Sequence, residues 1–299
     1  MALVATSESV GARLSLNGLQ HCFVRAEDHS RFALVDPNGE LMCSGYDHLE
    51  ERVAIGPRLI RLHVLLYPTP ERWDALLGLI GFTEGGSDVW TPMDTLTEFN
   101  AQLDYDGVDV GNYLSGKVDV AIIRGQQGLN PVSCELQMIF QNADLTAAFS
   151  GTAETKNAAY EFTSGTLGLG STGADSRLFN SFVIVYNNHL RVRFNNQTTA
   201  TNIANTQRTI HFACNTPFTS SELDLLSDAI VDSTRLSGQE ATLAFTRSPQ
   251  SMSWFFENLK WETSFPSIPR KDAEIRLGQQ YKAFAQGSDP VVTVTNVLA

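Results

Sequence analysis

The feature that most constrains this chain of 299 residues is a strand-then-helix pattern that occurs twice, 150 residues apart. The first copy runs from "RLIRLHV" at Arg58 to "TPERWDALLGLI" at Thr69, and the second runs from "RTIHFAC" at Arg208 to "TSSELDLLSDAI" at Thr219. Both strand segments alternate apolar and polar residues, as half-buried strands do. Recurrence at a fixed offset indicates two copies of one folding unit.

Both predicted helices carry signals at their ends. Thr69 suits the N-cap, and Pro70 suits the first helical position because its missing N–H would have no partner there. Gly81 suits the end of the first helix, while Thr219 and Glu222 form a capping box in the second. Helical spacing predicts a buried stripe in each helix, formed by Trp73, Leu76, Leu77 and Ile80 in the first and by Leu223, Leu226 and Ile230 in the second.

Upstream of the strands, residues 32–44 align with residues 182–194 at the same offset. Each segment is predicted to form a strand, a tight turn and a second strand. The turns are Pro37-Asn38-Gly39 and Asn187-Asn188, residue types that tolerate the backbone angles of hairpins. All-β chains repeat hairpins in any case, but three matches in register favour a tandem duplication. The predicted domains are residues 1–150 and 151–299.

The rest of the chain consists mostly of segments with a period of two, as in "KVDVAIIRG" and "EATLAFT". The predicted fold class is therefore mainly β, with two tandem copies of a β-sandwich or barrel, each with one short flanking α-helix. Residues 142–176 are rich in Ala, Gly, Ser and Thr, which predicts a linker and a long mobile loop at about 150–176.

Charge is unevenly distributed along the chain. Residues 1–150 contain 9 basic and 20 acidic residues, whereas residues 151–299 contain 12 and 13. No basic residue lies between Arg72 and Lys117, where there are eight acids. Such a surface repels polyanions and disfavours tight binding of nucleic acid. A solubilising surface is the alternative interpretation.

No pattern in the sequence predicts catalysis, a cofactor or a metal. Residues 168–173, "GLGSTG", match a dinucleotide-binding pattern, but a strand pattern follows where such a site needs a helix. Residues 104–109, "DYDGVD", resemble the start of a calcium loop but lack its glycine and its closing glutamate, which favours a solvated turn. The cysteines lack metal-type spacing and are interpreted as reduced thiols of a cytosolic product: Cys22, Cys43, Cys134 and Cys214. We expect neither a secretory signal nor a membrane span.

Several stretches resemble the major tail tube protein of long-tailed, siphovirus-type bacteriophages. In the first half these are "RLIRLHVLLYPTPERWDALLGLIGF", "VWTPMDTLTEFNAQLDYDG" and "YLSGKVDVAIIRGQQGLNPVSCELQMIFQ". In the second half the closing "FPSIPRKDAEIRLGQQYKAFAQGSDPVVTVTN" resembles the last strands of such proteins. The resemblance covers most of the chain and rests on order and pattern, since no single motif is diagnostic.

The resemblance implies a structural virion protein of the phage tail, assembled in the bacterial cytoplasm. Its copies would form rings that stack around a tape measure protein, with terminator and baseplate proteins at the ends. DNA would pass through the tube at ejection without tight binding. A chain with two domains would need only three copies for a ring of pseudo-sixfold symmetry. The acids proposed to line the lumen are Asp88, Asp94, Glu98, Asp104, Asp106 and Asp109. Reversing the charge of Asp104 and Asp106 is expected to leave tubes intact but to slow DNA delivery.

Two other interpretations stay open at this point. Another ring of the same virion, such as a tail terminator or a distal tail adaptor, would stop at a single ring instead of forming a tube. A carbohydrate-binding β-sandwich would present exposed aromatic rings, for which Trp90, Trp254 and Trp261 are the candidates, although tryptophan is more often a core residue.

Overall fold

The computed structural model of the chain describes residues 12–35, 54–104, 110–146, 148–153, 157–170, 176–219, 238–263, 266–267 and 275–298. The described residues form a mainly β fold, as the sequence predicts. They contain one α-helix, α1, at Pro70–Ile80, and a short 3-10 helix at Phe162–Ser164.

The strands fall into an earlier and a later set along the chain. The first half contains β1 Arg13–Leu16, β2 Leu19–His21, β3 Phe23–Asp28, β4 Arg31–Val35, β5 Ala54–Leu66, β6 Phe82–Glu84, β7 Val89–Pro92, β8 Phe99–Asp104, β9 Val110–Gln126 and β10 Leu129–Thr146. The second half contains β11 Gly165–Gly170, β12 Ser176–Arg177, β13 Ser181–Asn187, β14 Arg191–Arg193, β15 Asn202–Ala204, β16 Thr209–Pro217, β17 Gln239–Arg247, β18 Gln250–Thr263, β19 Pro266–Ser267, β20 Arg276–Ala283 and β21 Thr293–Val297.

Nineteen of these strands connect into one sheet, and β14 and β15 form a separate pair. In the first half the order across the sheet is β2–β1–β8–β9–β10–β5–β3, with every neighbouring pair antiparallel. In the second half the order is β12–β11–β17–β18–β20–β16–β13, again antiparallel throughout. If the seven strands of each half are numbered along the chain, both orders read second, first, fifth, sixth, seventh, fourth and third. The two halves therefore have the same strand topology.

The two halves also interrupt their ladders at corresponding points. Asp119 is an extra residue of β9 with no residue opposite it in β10, and Glu262 is an extra residue of β18 with none opposite it in β20. A second shift in register precedes Ala101 in the β8–β9 pairing and Ala241 in the β17–β18 pairing. Because bulges of this kind bend and twist a strand locally, the two halves bend at matching places.

Helix α1 begins and ends at the residues that the sequence predicts. Thr69 holds the N-cap position, Pro70 is the first helical residue, and Gly81 ends the helix with a φ of 121°. That positive φ suits glycine, and the N–H of Gly81 is donated to Leu77 O at 3.1 Å. The predicted stripe is confirmed as a buried face, formed by Trp73, Leu76, Leu77 and Ile80, each 0% exposed.

The position of α1 differs from the predicted flanking position, because the helix lies between the two halves. Trp73 packs edge-on against Trp254 of β18, with ring centroids 6.4 Å apart. The side chain of Asn296, on β21, donates to Pro70 O at 3.1 Å and to Asp74 Oδ1 at 2.8 Å. Buried residues of both halves form one hydrophobic cluster. The helix therefore belongs to a shared core.

The prediction of a long loop at about 150–176 is wrong for Gly165–Gly170, because these residues form β11, which pairs with β17 at six positions. Leu167 and Leu169 of β11 are buried. A Cβ atom at Gly165 would lie only 2.8 Å from Phe245 Cε1. Glycine allows this close approach to a core ring, so a composition typical of a linker forms a core strand instead.

The predicted overlay of the two hairpin segments is also wrong. Ala213 of β16 pairs with Val183, so the 150-residue offset would place the partner of His63 at residue 33. His63 pairs with Glu27 instead. The reason is that β3 lies beside this part of β5, whereas β4 pairs with the earlier part of β5.

The turn at Asn187 and Asn188 does not close a hairpin between β13 and β14, because β14 pairs with β15. Asn188 is only 2% exposed, and its side chain contacts Ile80 O and Val118 O instead of solvent. Residues 36–53, which contain the corresponding turn of the first half, lie outside the described residues, as do residues 220–237. The predicted second helix therefore stays a prediction, together with its stripe of Leu223, Leu226 and Ile230.

The buried face of α1 leads to a stability prediction. Leu76→Ala is expected to lower the free energy of unfolding by about 2–5 kcal/mol, because it leaves a cavity in the shared core. Gly78→Ala in the same helix is the matched control. A Cβ at Gly78 meets nothing within 4 Å, so this change should stabilise the protein by about 0.5–1 kcal/mol. Chemical denaturation of both variants measures the difference, and equal stabilities would contradict the packing.

Candidate functional site

The junction between the two halves is a continuous β-ladder. One edge of β9 pairs with β8 over its first part and with β13 over its last part, from Val120 opposite Asn187 to Gln126 opposite Ser181. Backbone bonds extend this ladder at both ends, from Gln127 N to Asn180 O and from Asn188 N to Asp119 O, each 2.8 Å long. The two halves are therefore joined through the backbone as well as through side chains.

Side chains from the end of β13 and from the next residue cap the C-terminal end of α1. The last carbonyl groups of a helix have no partner within the helix. Asn188 Nδ2 donates to Ile80 O and to Val118 O, both at 2.9 Å, and Tyr186 Oη donates to Gly81 O at 3.1 Å. Burial raises the pKa of the Tyr186 phenol to about 12, so this hydroxyl stays a donor over the ordinary pH range.

Polar side chains of the second half hold the segment that follows β7. Arg208 Nη1 donates to Met93 O at 2.7 Å and to Tyr186 Oη at 3.0 Å. Asn205 Nδ2 donates to Asp94 O at 2.7 Å. These contacts fix an acidic segment of the first half against the strand junction.

The β14–β15 pair packs over the sheet of the first half. Lys117 Nζ donates to Ile203 O at 2.9 Å, and both residues are buried. Arg58 N donates to Thr198 O at 2.8 Å in the loop between these strands. The β14–β15 segment of the second half therefore contacts β5 and β9 of the first half, beyond the β9–β13 ladder.

Two strand edges lie open at opposite ends of this arrangement. β3 pairs with β5 on one edge, and among the described residues its other edge has no strand partner. β18 pairs with β17 only as far as Leu259. Beyond that point, the same edge of residues 261–263 and of β19 has no strand partner in the described parts of the chain, while β20 covers the other edge. Unpaired edges of this kind accept strands from other molecules.

Three of the predicted lumen acids lie at least partly exposed, but they occupy two places. Asp94 is fully exposed, and Glu98 is partly exposed at 44%. Both lie next to cations of the junction, since Arg208 Nη2 is 3.9 Å from Asp94 Oδ1 and Lys117 Nζ is 3.6 Å from Glu98 Oε1. Asp88 lies elsewhere, in the turn between β6 and β7.

The environment of Asp88 is acidic. Burial raises the pKa of Asp74, with further contributions from Asp88 and Glu84, although the hydrogen bond from Asn296 opposes the shift. Backbone Asn296 N donates to Asp88 O at 3.0 Å, which fixes the turn beside β21. This acidic patch borders α1 and is separate from the junction.

The expectation that Asp104 presents a charge to solvent is wrong. Its side chain is 1% exposed and accepts hydrogen bonds from Arg13 Nε at 2.8 Å and Nη2 at 2.6 Å. The interaction pairs β1 with β8 and neutralises both charges. Asp106 and Asp109 lie outside the described residues. Charge reversal at Asp104 would bury an unpaired cation next to Arg13, so it tests stability and not the lumen.

The motifs that suggest small-ligand chemistry lie in structural elements or outside the described residues. Residues 168–170 of "GLGSTG" belong to β11, and no βαβ unit surrounds them in the described parts of the chain. In the described residues no three His, Cys, Asp or Glu side chains lie together as a metal site. Burial strongly raises the pKa of the Cys134 thiol, which keeps it protonated.

The aromatic rings weighed for sugar binding do not form an exposed platform. Trp254 is 1% exposed and packs against Trp73 and Phe82 in the core. Trp90 and Trp261 are half-buried, on β7 and β18 respectively, and Trp261 packs against Tyr281.

The sequence alone missed the role of Asn188. We interpreted the pair Asn187-Asn188 as a hairpin turn, since asparagine is common in turns. A buried polar side chain that satisfies carbonyl groups of distant elements leaves no periodic signal. Its neighbour Tyr186 alternates correctly for a strand, but its hydroxyl contact with Gly81 depends on the tertiary fold.

No protein-family model and no curated protein sequence matches the chain. None of the helices in the described residues is long and apolar enough to cross a bilayer.

The contacts of Asn188 lead to a prediction about the junction. Asn188→Ala is expected to lower the free energy of unfolding by about 1–3 kcal/mol, because two buried carbonyl groups lose their donor. Gln197→Ala, at an exposed position of the β14–β15 loop, serves as the control and should leave stability within about 0.5 kcal/mol. Thermal or chemical unfolding measures both, and a neutral Asn188→Ala would contradict the role of this side chain.

Proposed function

We propose that this chain is a structural virion protein that forms the stacked rings of a bacteriophage tail tube, built from two tandem copies of one β-domain. The observation that carries the proposal is the β9–β13 ladder, which joins two units of equal strand order edge to edge. Units that pair in this way extend a sheet sideways, as the wall of a ring requires. The resemblance to tail tube proteins supplies the functional class.

Three details support the duplication. The seven strands of each half follow the same order, and their two bulges fall at matching places. The bulged acids lie in similar sequences, since Lys117 comes two residues before Asp119 and Lys260 comes two residues before Glu262. The offset between matching strands varies, because the connections of the two copies differ in length.

Under this proposal three chains supply the six units of a ring with pseudo-sixfold symmetry. The rings stack around a tape measure protein, end at terminator and baseplate proteins, and assemble in the bacterial cytoplasm into a virion tail. The exposed carboxylates of Asp94 and Glu98, beside the strand junction, are the best candidates among the described acids for a wall that repels DNA. Asp88 is a weaker candidate because it borders α1.

Negative-stain electron microscopy of the purified chain tests the proposal. Long cylinders of uniform width support a tail tube, and mass measurement of one ring should give three chains. Single rings that never stack would favour a terminator or a distal adaptor of the same virion. Dispersed monomers at high concentration would contradict both functions.

The charge of the junction gives a further prediction. Tubes of Asp94→Lys are expected to retain short duplex DNA at low salt and to release it as salt rises, because a cation replaces a carboxylate on the wall. Asp289→Lys makes the same charge change at an exposed site in the second half and serves as the control. Co-sedimentation of DNA with tubes measures retention, and equal behaviour of the two variants would contradict a lumen position for Asp94.

A further inference from the structure

We infer that the open edge of β3 pairs with the open edge of β18 and β19 in a second copy of this chain, repeating between molecules the β9–β13 ladder within one molecule. The inference rests on the duplication in the proposed function. It goes beyond that function by assigning the two strands and their register, and the ladder within the chain provides the template.

The first step identifies the counterpart of β13. In the second half β13 is the last strand of its order and pairs with β16, and in the first half β3 holds that place beside β5. His63 of β5 pairs with Gln137, and Ala213 of β16 pairs with Gln280; each glutamine lies opposite the residue that follows the bulge, so His63 and Ala213 are matching positions. Their partners on the other side are Glu27 and Val183 respectively. The other edge of β13 pairs with β9. The other edge of β3 has no such strand beside it in the described residues.

The second step identifies the counterpart of β9. The bulges align Asp119 with Glu262, so Val120 corresponds to Thr263; these two residues pair with Gln137 and Gln280 respectively. β9 presents one edge first to β8 and then to β13. β18 presents the same edge first to β17, and beyond that pairing the edge of residues 261–263 and of β19 has no strand partner in the described residues.

The register of the intermolecular ladder follows from these two matches. Within the chain Val183 lies opposite Arg124. Their counterparts are Glu27 and residue 267, so Glu27 of one copy is expected to lie opposite Ser267 of the next. Because the strands are antiparallel, a position four residues later on one copy lies opposite a position four residues earlier on the next. Arg31, at the start of β4, is therefore expected to lie opposite Thr263.

The chemistry of the two edges restricts which strands they accept. β3 and the residues after it carry Arg25, Glu27, Asp28 and His29, and charged side chains on an edge discourage pairing with unrelated strands. Pro266 in β19 has no N–H and also discourages indiscriminate pairing. A second copy is the partner that carries a matching edge in a fixed register.

The two edges are different, so the contact is head to tail. Each copy uses its β3 edge on one side and its β18–β19 edge on the other, which yields a closed ring if the rotation per copy closes and an open fibre if it does not. The β9–β13 ladder fixes the rotation that relates the first unit to the second within one copy. If the same rotation relates one copy to the next, ladders within chains and ladders between chains alternate around a ring.

Disulfide trapping tests the register. Glu27→Cys and Ser267→Cys are introduced together in a Cys22→Ser, Cys43→Ser background, and the assembled protein is oxidised and run on a non-reducing gel. Cross-linked multiples of the chain are expected, ending at the trimer if the ring closes. A disulfide requires Cβ atoms within about 3.5–4.5 Å, so neighbouring positions discriminate sharply.

The matched control is Ala26→Cys with Ser267→Cys, which moves one thiol to the opposite face of β3. It should cross-link far less than the in-register pair. Equal cross-linking of both pairs, or none by the in-register pair in an assembled sample, overturns the edge assignment. Tubes in the micrographs without the cross-link would preserve the proposed function and reject these edges. A cross-link without tubes would preserve the edges and reject the tail function.

Discussion

The structure depends on the way β9 shares one of its edges. The first part of that edge pairs with β8 of the first half, and the last part pairs with β13 of the second half. The bulge at Asp119 separates the two parts, and both its backbone carbonyl and its carboxylate accept N–H groups from the segment after β13. Strand β9 therefore contributes to both halves, and the shorter pairing of β21 with β7 joins the halves a second time beside α1.

This arrangement connects the fold to the proposed assembly. Under the proposed duplication, a chain whose two halves pair edge to edge already contains the kind of contact that the proposed ring needs. The charged side chains near that contact come from both units: Arg208 and Lys117 lie beside Asp94 and Glu98. The balance of charge around Asp94 therefore depends on both halves, and it cannot be read from the net charge of either half.

The sequence predicted where helices and strands lie better than it predicted which elements they contact. The spacing of Trp73 and Leu76, with Gly81 at the end, predicted α1 because a short amphipathic helix carries its own local signals. The strand at Leu167 and Leu169 was missed because Gly165 is needed for a close approach to the ring of Phe245, a contact that is distant in sequence. Asp104 reads as one acid in an acidic stretch, and only the fold brings Arg13 to it. Local patterns specify the elements, whereas the burial of charges and the choice of neighbours depend on long-range contacts.

The position of α1 has a consequence for how the protein is made. The helix is complete at residue 80, yet Trp73 is covered by Trp254, and the residue that binds Pro70 O is Asn296, 226 positions further along the sequence. On the ribosome, the apolar stripe of α1 thus emerges long before the residues that enclose it. Nascent chains with exposed apolar surface are prone to aggregation, so the growing polypeptide needs protection, by a chaperone or by transient collapse, until β18 and β21 have been synthesised.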